Sequence, residues 1–313
     1  MARSEVPSVV RESCAWVANH ASHVSISQSG LERVVKEMDG GVQMDLWDFE
    51  GIHYFDGGPL TVQYLLVLDA LNFCFWPDAE LHYDHLAAGL KSALMADQTI
   101  FDASRLERFT GVDLRRLLNW PRELPLEEER ARLLREVGIE LNRSFKGKAV
   151  NLVEAANGSA LALVSLVARH FPGFQDHCIF QGRQVFIYKR AQIFVADVWG
   201  AFKGKGYGAF RDIHGITMFA DYIVPAILRH LGIISYSPSL ASKVDNLNEV
   251  LAGSEEEIEI RACTITAVEK LGELLSIKLG KEISMIQLDW WLWSTGISLQ
   301  TKLPCHRTRT IYY

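Results

Sequence analysis

Apolar positions along the chain recur mostly at the three-and-four spacing of helices. Behind Pro125 and the acidic first turn Glu127, Glu128 and Glu129, the residues Leu134, Val137, Leu141 and Phe145 fall on one stripe. Acidic groups suit the positive end of a helix, so the pattern predicts an amphipathic helix over 127–145. A second helix is predicted to open near Asn157 or Ser159. It runs apolar through Leu161, Val164, Leu166 and Val167 and stops at Pro172-Gly173. Its nearly all-apolar surface predicts a buried element.

From Ile193 to Phe202 the spacing places Phe194, Val198 and Phe202 on one side and Arg190, Ile193 and Asp197 on another. Val224 to Leu231 reads as a further helix. Proline is tolerated only in a first helical turn, so Pro225 places that helix's start close to Asp221. The stretch from Ile283 to Trp293 is rich in aromatics and precedes Pro304. Strand signals are few: Ile179-Phe180 and Val185 to Tyr188, separated by Gln181 to Gln184, form either a short hairpin or a loop. Pro121 to Arg130 and Ser254 to Glu259 read as linker-like, and no repeat of fixed period is present. The expected fold is mainly α, with at most a small β element.

Composition narrows the partners. The 313 residues admit one large domain or two fused lobes, and 49% hydrophobic against 22% charged residues gives ample material for a core. A net charge of −6 argues against direct nucleic-acid binding, which relies on a basic excess, but leaves room for a small phosphorylated ligand. The five cysteines are far apart and form no C-x-x-C, which points to a reducing compartment. Arg3, Glu5, Arg11 and Glu12 interrupt the stretch a secretory signal needs, and the apolar runs are too short for a membrane span. A cytoplasmic protein without membrane association is expected.

Several residue groups have both a structural and a chemical reading. His20 with His23, and His82 with His85, are spaced to share a helical face, but two histidines do not make a metal site, and no metal or cofactor is expected. Gly204, Gly206 and Gly208, alternating with Lys203, Lys205 and Tyr207, form either a flexible connection or a basic lip; they lack the order of a phosphate-binding loop. The run Leu71-Asn72-Phe73-Cys74-Phe75-Trp76 is either core or a stacking platform for a planar base, with Asn72 reading the base edge. Asp221 is either a helix cap or a carboxylate kept ionised at a helix start, able to stabilise a sugar cation.

The run from Leu71 to Trp76, Tyr188 to Asp197, Ile216 to Tyr222, Glu259 to Cys263, and the ending His306-Arg307 through Ile311-Tyr312-Tyr313 together resemble the queuosine salvage family, the queuosine 5′-phosphate N-glycosidases. The resemblance spans nearly the whole chain. It implies a single domain over 1–313 with two helical lobes and an active-site cleft, similar in architecture to helix-hairpin-helix DNA glycosylases. It also implies hydrolysis of queuosine 5′-phosphate to queuine and ribose 5-phosphate.

On that reading Asp221 is the catalytic carboxylate, and Phe219 and Tyr222 shape the pocket. Asp197 binds the guanine-like edge, orients Lys189 and Arg190, or forms a structural ion pair with Arg190. Asn72, Phe73 and Trp76 complete the base site. Lys189, Arg190, Lys203, Lys205, Arg307 and Arg309 are candidate phosphate cations. The alternative is a protein that binds queuine or a modified nucleotide without chemistry. A base-excision enzyme acting on nucleic acid fits the acidic balance poorly.

Overall fold

The computed structural model describes residues 6–38, 51–299 and 303–313. Arg3 and Glu5 lie outside them. The described residues contain fourteen α-helices and two two-stranded sheets, the mainly α fold expected from the apolar spacing. No described helix is long and apolar enough to cross a membrane. The chain divides into two compact units. The first comprises Met1–Leu46, Asp176–Lys189 and His214–Arg309, and the second Trp47–Gln175, Arg190–Ile213 and Thr310–Tyr313.

The first unit is built around the 25-residue helix Glu255–Leu279, which is apolar on more than one face. Ile258, Ile260, Ala262, Cys263, Ile265, Val268, Leu271 and Leu275 are all buried in one core, as befits a helix covered from several sides. Helices Val6–His20, Gln28–Glu37, Ile223–His230 and Met285–Leu299 pack on it. The stretch from Ser254 to Glu259 is therefore the start of the longest helix rather than a linker. The Ser254 side chain accepts the Glu257 N–H, and Glu257 reaches back to the Gly253 N–H, a capping arrangement written in the serine-plus-glutamate spacing. Gly280, at φ +64°, ends the helix in the left-handed conformation.

Both small sheets belong to this unit. Val24–Ile26 pairs antiparallel with Ile234–Tyr236. His177–Phe180 pairs with Arg183–Phe186, which resolves the hairpin-or-loop alternative in favour of a hairpin. Its turn is only Gln181-Gly182, both at positive φ, so the strands run closer to the turn than the sequence suggests. His20 closes the first helix and stacks on Trp16, whereas His23 lies beyond the helix, so these two histidines do not share a helical face.

The second unit centres on helix Pro59–Leu71, whose side chains from Thr61 to Leu71 are all buried. Helices Tyr83–Ala96, Glu127–Ser144 and Ala149–Ala155 pack against it. Glu127 to Arg130, read as linker from sequence, form the first turn of Glu127–Ser144, and Ser159 caps Ala160–His170 by accepting the Ala162 N–H. His85 accepts the His82 N–H at the start of Tyr83–Ala96, so this pair marks a helix start.

The end of Pro59–Leu71 explains the aromatic run that follows it. Carbonyls in the last turn of a helix have no partner within it. Arg130 donates to the carbonyls of Leu71 at 2.7 Å, Phe73 at 2.6 Å, Cys74 at 2.8 Å and Pro125 at 2.8 Å. Arg190 donates to Ala70 at 2.8 Å, Asp69 at 3.2 Å and Gly173. The Phe73 ring packs against both guanidinium groups, with centroid distances of 4.3 and 5.2 Å. Phe73, Cys74 and Phe75 are core, and the Phe73 ring is fully buried. Burial pushes the Arg130 pKa down to about 10, which leaves it charged at neutral pH and matched to the negative end of the helix.

Replacing Arg130 by Met strands several buried carbonyls. The variant is expected to lose about 3–5 kcal/mol, read as a lowered urea midpoint by circular dichroism. A loss below about 1 kcal/mol contradicts this account of the helix end.

Candidate active site

Asp221 follows the buried run Ile216 to Ala220 and precedes helix Ile223–His230. Its Oδ1 accepts the N–H groups of Ile223 and Val224, both at 2.9 Å. Pro225 sits in the first turn, where its missing N–H costs nothing, as the sequence requires. Asp221 thus does cap the helix, through Oδ1 and from the position just before Tyr222. Burial pushes its carboxyl above the ordinary 3.8, against the pull of the Val224 N–H, the Lys189 charge and the Ile223 N–H. Sequence reasoning expects the helix start to favour the anion. It does, but desolvation outweighs it.

Lys189 opens helix Lys189–Ala201 and is itself buried. Three successive N–H groups end on one residue here: Ile187 and Tyr188 donate to the Asp176 carbonyl at 3.0 Å each, and Lys189 donates to Asp176 Oδ2 at 3.1 Å. Tyr188 has φ +53°, a left-handed conformation that these bonds hold in place. The Asp176 carboxylate is in turn gripped by Arg261, Nη1 to Oδ1 at 2.8 Å and Nη2 to Oδ2 at 2.7 Å. Arg261 also donates from Nε and Nη2 to the Ala220 carbonyl, at 3.3 Å each.

Phe219 is buried, and its N–H donates to Asp289 Oδ1 at 3.0 Å; Tyr222 is half-buried. Near the end of the unit, the Cys305 thiol is pushed up to about 12 by burial and by the Asp221 charge, against the pull of Arg307. His306 is buried and held down to about 3 by burial and by Arg261, so it is neutral at physiological pH.

Lys189, Phe219, Asp221 and Tyr222 therefore fall in the first unit, together with Arg307 and Arg309. Arg190, Asp197, Asn72, Phe73, Trp76, Lys203 and Lys205 fall in the second. There Arg190 binds main-chain carbonyls, Lys203 and Lys205 are exposed, Asn72 is buried and Trp76 is half-buried. Asp197 is buried; together with burial, its charge pushes the Tyr83 phenol well up. The glycines at 204, 206 and 208 follow the helix end and include the short 3-10 turn Gly206–Gly208. Among the described residues, no group of three or more histidine, cysteine or acidic side chains is arranged to hold a metal ion.

Comparison with known proteins matches residues 52–313 to the family model described as queuosine salvage protein. The chain belongs to the queuosine salvage protein family. A Dictyostelium discoideum queuosine 5′-phosphate N-glycosylase/hydrolase is 43% identical, over 97% of this chain and 98% of that protein. Proteins of the same name from Sphaerobacter thermophilus and Bos taurus are 44% identical over 85% of this chain and 85% of the relative, and 33% identical over 97% and 98%. In the sequence, Arg261 falls in the Glu259 to Cys263 run with no role attached, and neither Asp176 nor Asp289 stands out by spacing alone. Asp289 had a signal: it is an acid inside the aromatic run Ile283 to Trp293. Asp176 had none, because its partner lies 85 residues away.

A carboxyl whose folded pKa is raised contributes stability that is present below the unfolded value and lost as pH rises through the folded value. Asp221→Asn keeps the oxygen acceptor and removes the buried charge. Its stability relative to wild type is expected to grow as pH rises from 3.8 through the raised value and then level off. Carbon-13 carboxyl NMR is expected to find Asp221 titrating above 3.8, and higher still in Lys189→Met. A titration at or below 3.8 contradicts the burial argument.

Proposed function

We propose that the chain hydrolyses the N-glycosidic bond of queuosine 5′-phosphate, releasing queuine and ribose 5-phosphate, with Asp221 as the catalytic carboxylate. Membership of the family and the names of full-length relatives support the reaction. The observation that supports the residue is a buried carboxylate, bound by two main-chain N–H groups at a helix mouth and within the pull of the Lys189 charge.

As the bond between the anomeric carbon and the base nitrogen breaks, its electron pair leaves with the base and positive charge builds on the sugar. A fixed anion lowers the energy of that state without reorganising water, because its hydrogen bonds are already made. Water then supplies a hydroxyl to the sugar carbon and a proton to the base. Burial suits Asp221 to this task, since an anion with little hydration interacts more strongly with a developing cation. The two N–H groups and the Lys189 charge favour its ionised form, against the effect of burial.

The base is a 7-deazaguanine and lacks the ring nitrogen that purine glycosidases commonly protonate. Help for the leaving group therefore comes from hydrogen-bond donors to the base's remaining acceptor atoms, while a carboxylate accepting from the amide and amine edge serves recognition. Phe219 and Tyr222 line the base and ribose, and Asp289 holds the Phe219 main chain in place. Lys189 is the cation of this unit closest in electrostatic effect to Asp221, and the 5′-phosphate draws on it or on Arg307 and Arg309. The working compartment is the cytoplasm, and no nucleic-acid partner enters the reaction.

Asp221→Asn is expected to fold and to release queuine from queuosine 5′-phosphate about 100- to 1,000-fold more slowly than wild type, measured by chromatography of the free base. Turnover within about threefold of wild type removes Asp221 from the mechanism. The dephosphorylated nucleoside is expected to show a markedly lower kcat/KM than the nucleotide. Equal values sink the phosphate contacts, and binding of queuine without any release from substrate favours the non-catalytic alternative.

A further inference from the structure

Among the buried charged residues that hydrolysis as described leaves without a part are Asp176 and Arg261, the latter also 3.7 Å from Glu257. Their side chains are among the least exposed charged groups of the first unit, 4% and 3%. Arg261 uses two nitrogens on the Asp176 carboxylate and turns Nε and Nη2 to the Ala220 carbonyl as well. A peptide unit is planar, so holding the Ala220 carbonyl also orients the N–H of Asp221 and the base of its side chain. On its other side, Asp176 collects the N–H groups of Ile187, Tyr188 and Lys189 and so sets where helix Lys189–Ala201 begins. One fork of guanidinium on carboxylate is thus bonded to the residue before Asp221 and, through Asp176, to Lys189.

A buried ion pair has to satisfy its remaining donors and acceptors, and here the groups it takes are the main chain just before Asp221 and at Lys189. The planar guanidinium is the one side chain that serves both the carboxylate and the Ala220 carbonyl at fixed angles, which an ammonium cannot do. We infer that Arg261 and Asp176 form a positioning clamp that sets Lys189 against Asp221, so that the lysine charge meets the carboxylate in the geometry hydrolysis needs. The inference rests on the reading of Asp221 as the catalytic carboxylate. Neither clamp residue touches substrate; both act through Asp221 and Lys189.

The test compares the full-length wild type with Arg261→Lys, Asp176→Asn and Asp221→Asn, following queuine release from queuosine 5′-phosphate across pH, with folding checked at 25 °C. Arg261→Lys keeps the charge and loses the fork, while Asp176→Asn keeps the shape and loses the charge. Both are expected to lose about 100-fold in kcat, the usual consequence of a misplacement near 1 Å, with KM changed less than about threefold. The acid limb of kcat/KM is expected to move to higher pH, because Lys189 no longer holds the Asp221 pKa down. Lower thermal stability with wild-type kcat and an unmoved acid limb overturns the clamp and leaves the pair structural. Whichever of the two variants folds decides the matter, and failure of both to fold also overturns the inference. Near-normal turnover in Asp221→Asn defeats the parent reading of Asp221; an inactive Asp221→Asn beside unimpaired Arg261→Lys and Asp176→Asn defeats the clamp alone.

Discussion

Two opposite charges buried together, Asp176 and Arg261, govern the local geometry of the first unit around Asp221. Desolvating such a pair is expensive, and it is recovered only when the hydrogen-bonding capacity of both partners is used. Here it is used. The carboxylate binds the guanidinium through both oxygens and takes the Lys189 N–H as well, and the guanidinium has donors left for the Ala220 carbonyl. The left-handed Tyr188 and the short helix after Asp221 are stable in this setting because their main-chain groups have been assigned partners.

The second unit solves a related problem with different chemistry. A helix buried on all sides brings its unpaired terminal carbonyls into the core, where water cannot reach them. Arg130 and Arg190 supply the donors, and Phe73 covers their planar faces. In both units, then, buried arginine serves main-chain oxygen, and the charge that results is offset by a helix end or by a carboxylate. Asp221 differs in kind. Its burial raises the cost of the ionised form, against the pull of two main-chain N–H groups and Lys189.

Much of this was legible in the sequence where local rules act alone. The helix Glu127–Ser144 follows from an acidic first turn and a regular apolar stripe, and the helix after Asp221 follows from what Pro225 permits. The same rules were available for Ser254, whose glutamate three residues on marks a helix start, yet the charge run of Glu255 to Glu257 reads equally as a solvated linker. Phe73 shows the limit of composition: three aromatics around an amide suit a base platform or a core, and only the two arginines, from positions 130 and 190, select the core. The Asp176–Arg261 pair leaves no periodic trace, since long-range ion pairs obey no spacing along the chain.

The proposed hydrolysis depends on where the Asp221 carboxylate points when substrate is bound. It is tested most directly by the crystal structure of Asp221→Asn with queuosine 5′-phosphate, in which the chemistry is slowed but the side-chain shape is kept. The account predicts the residue 221 side chain within about 3.5 Å of the anomeric carbon, on the face opposite the base. A complex with the ribose bound elsewhere, and that side chain capping its helix out of reach of the sugar, contradicts it.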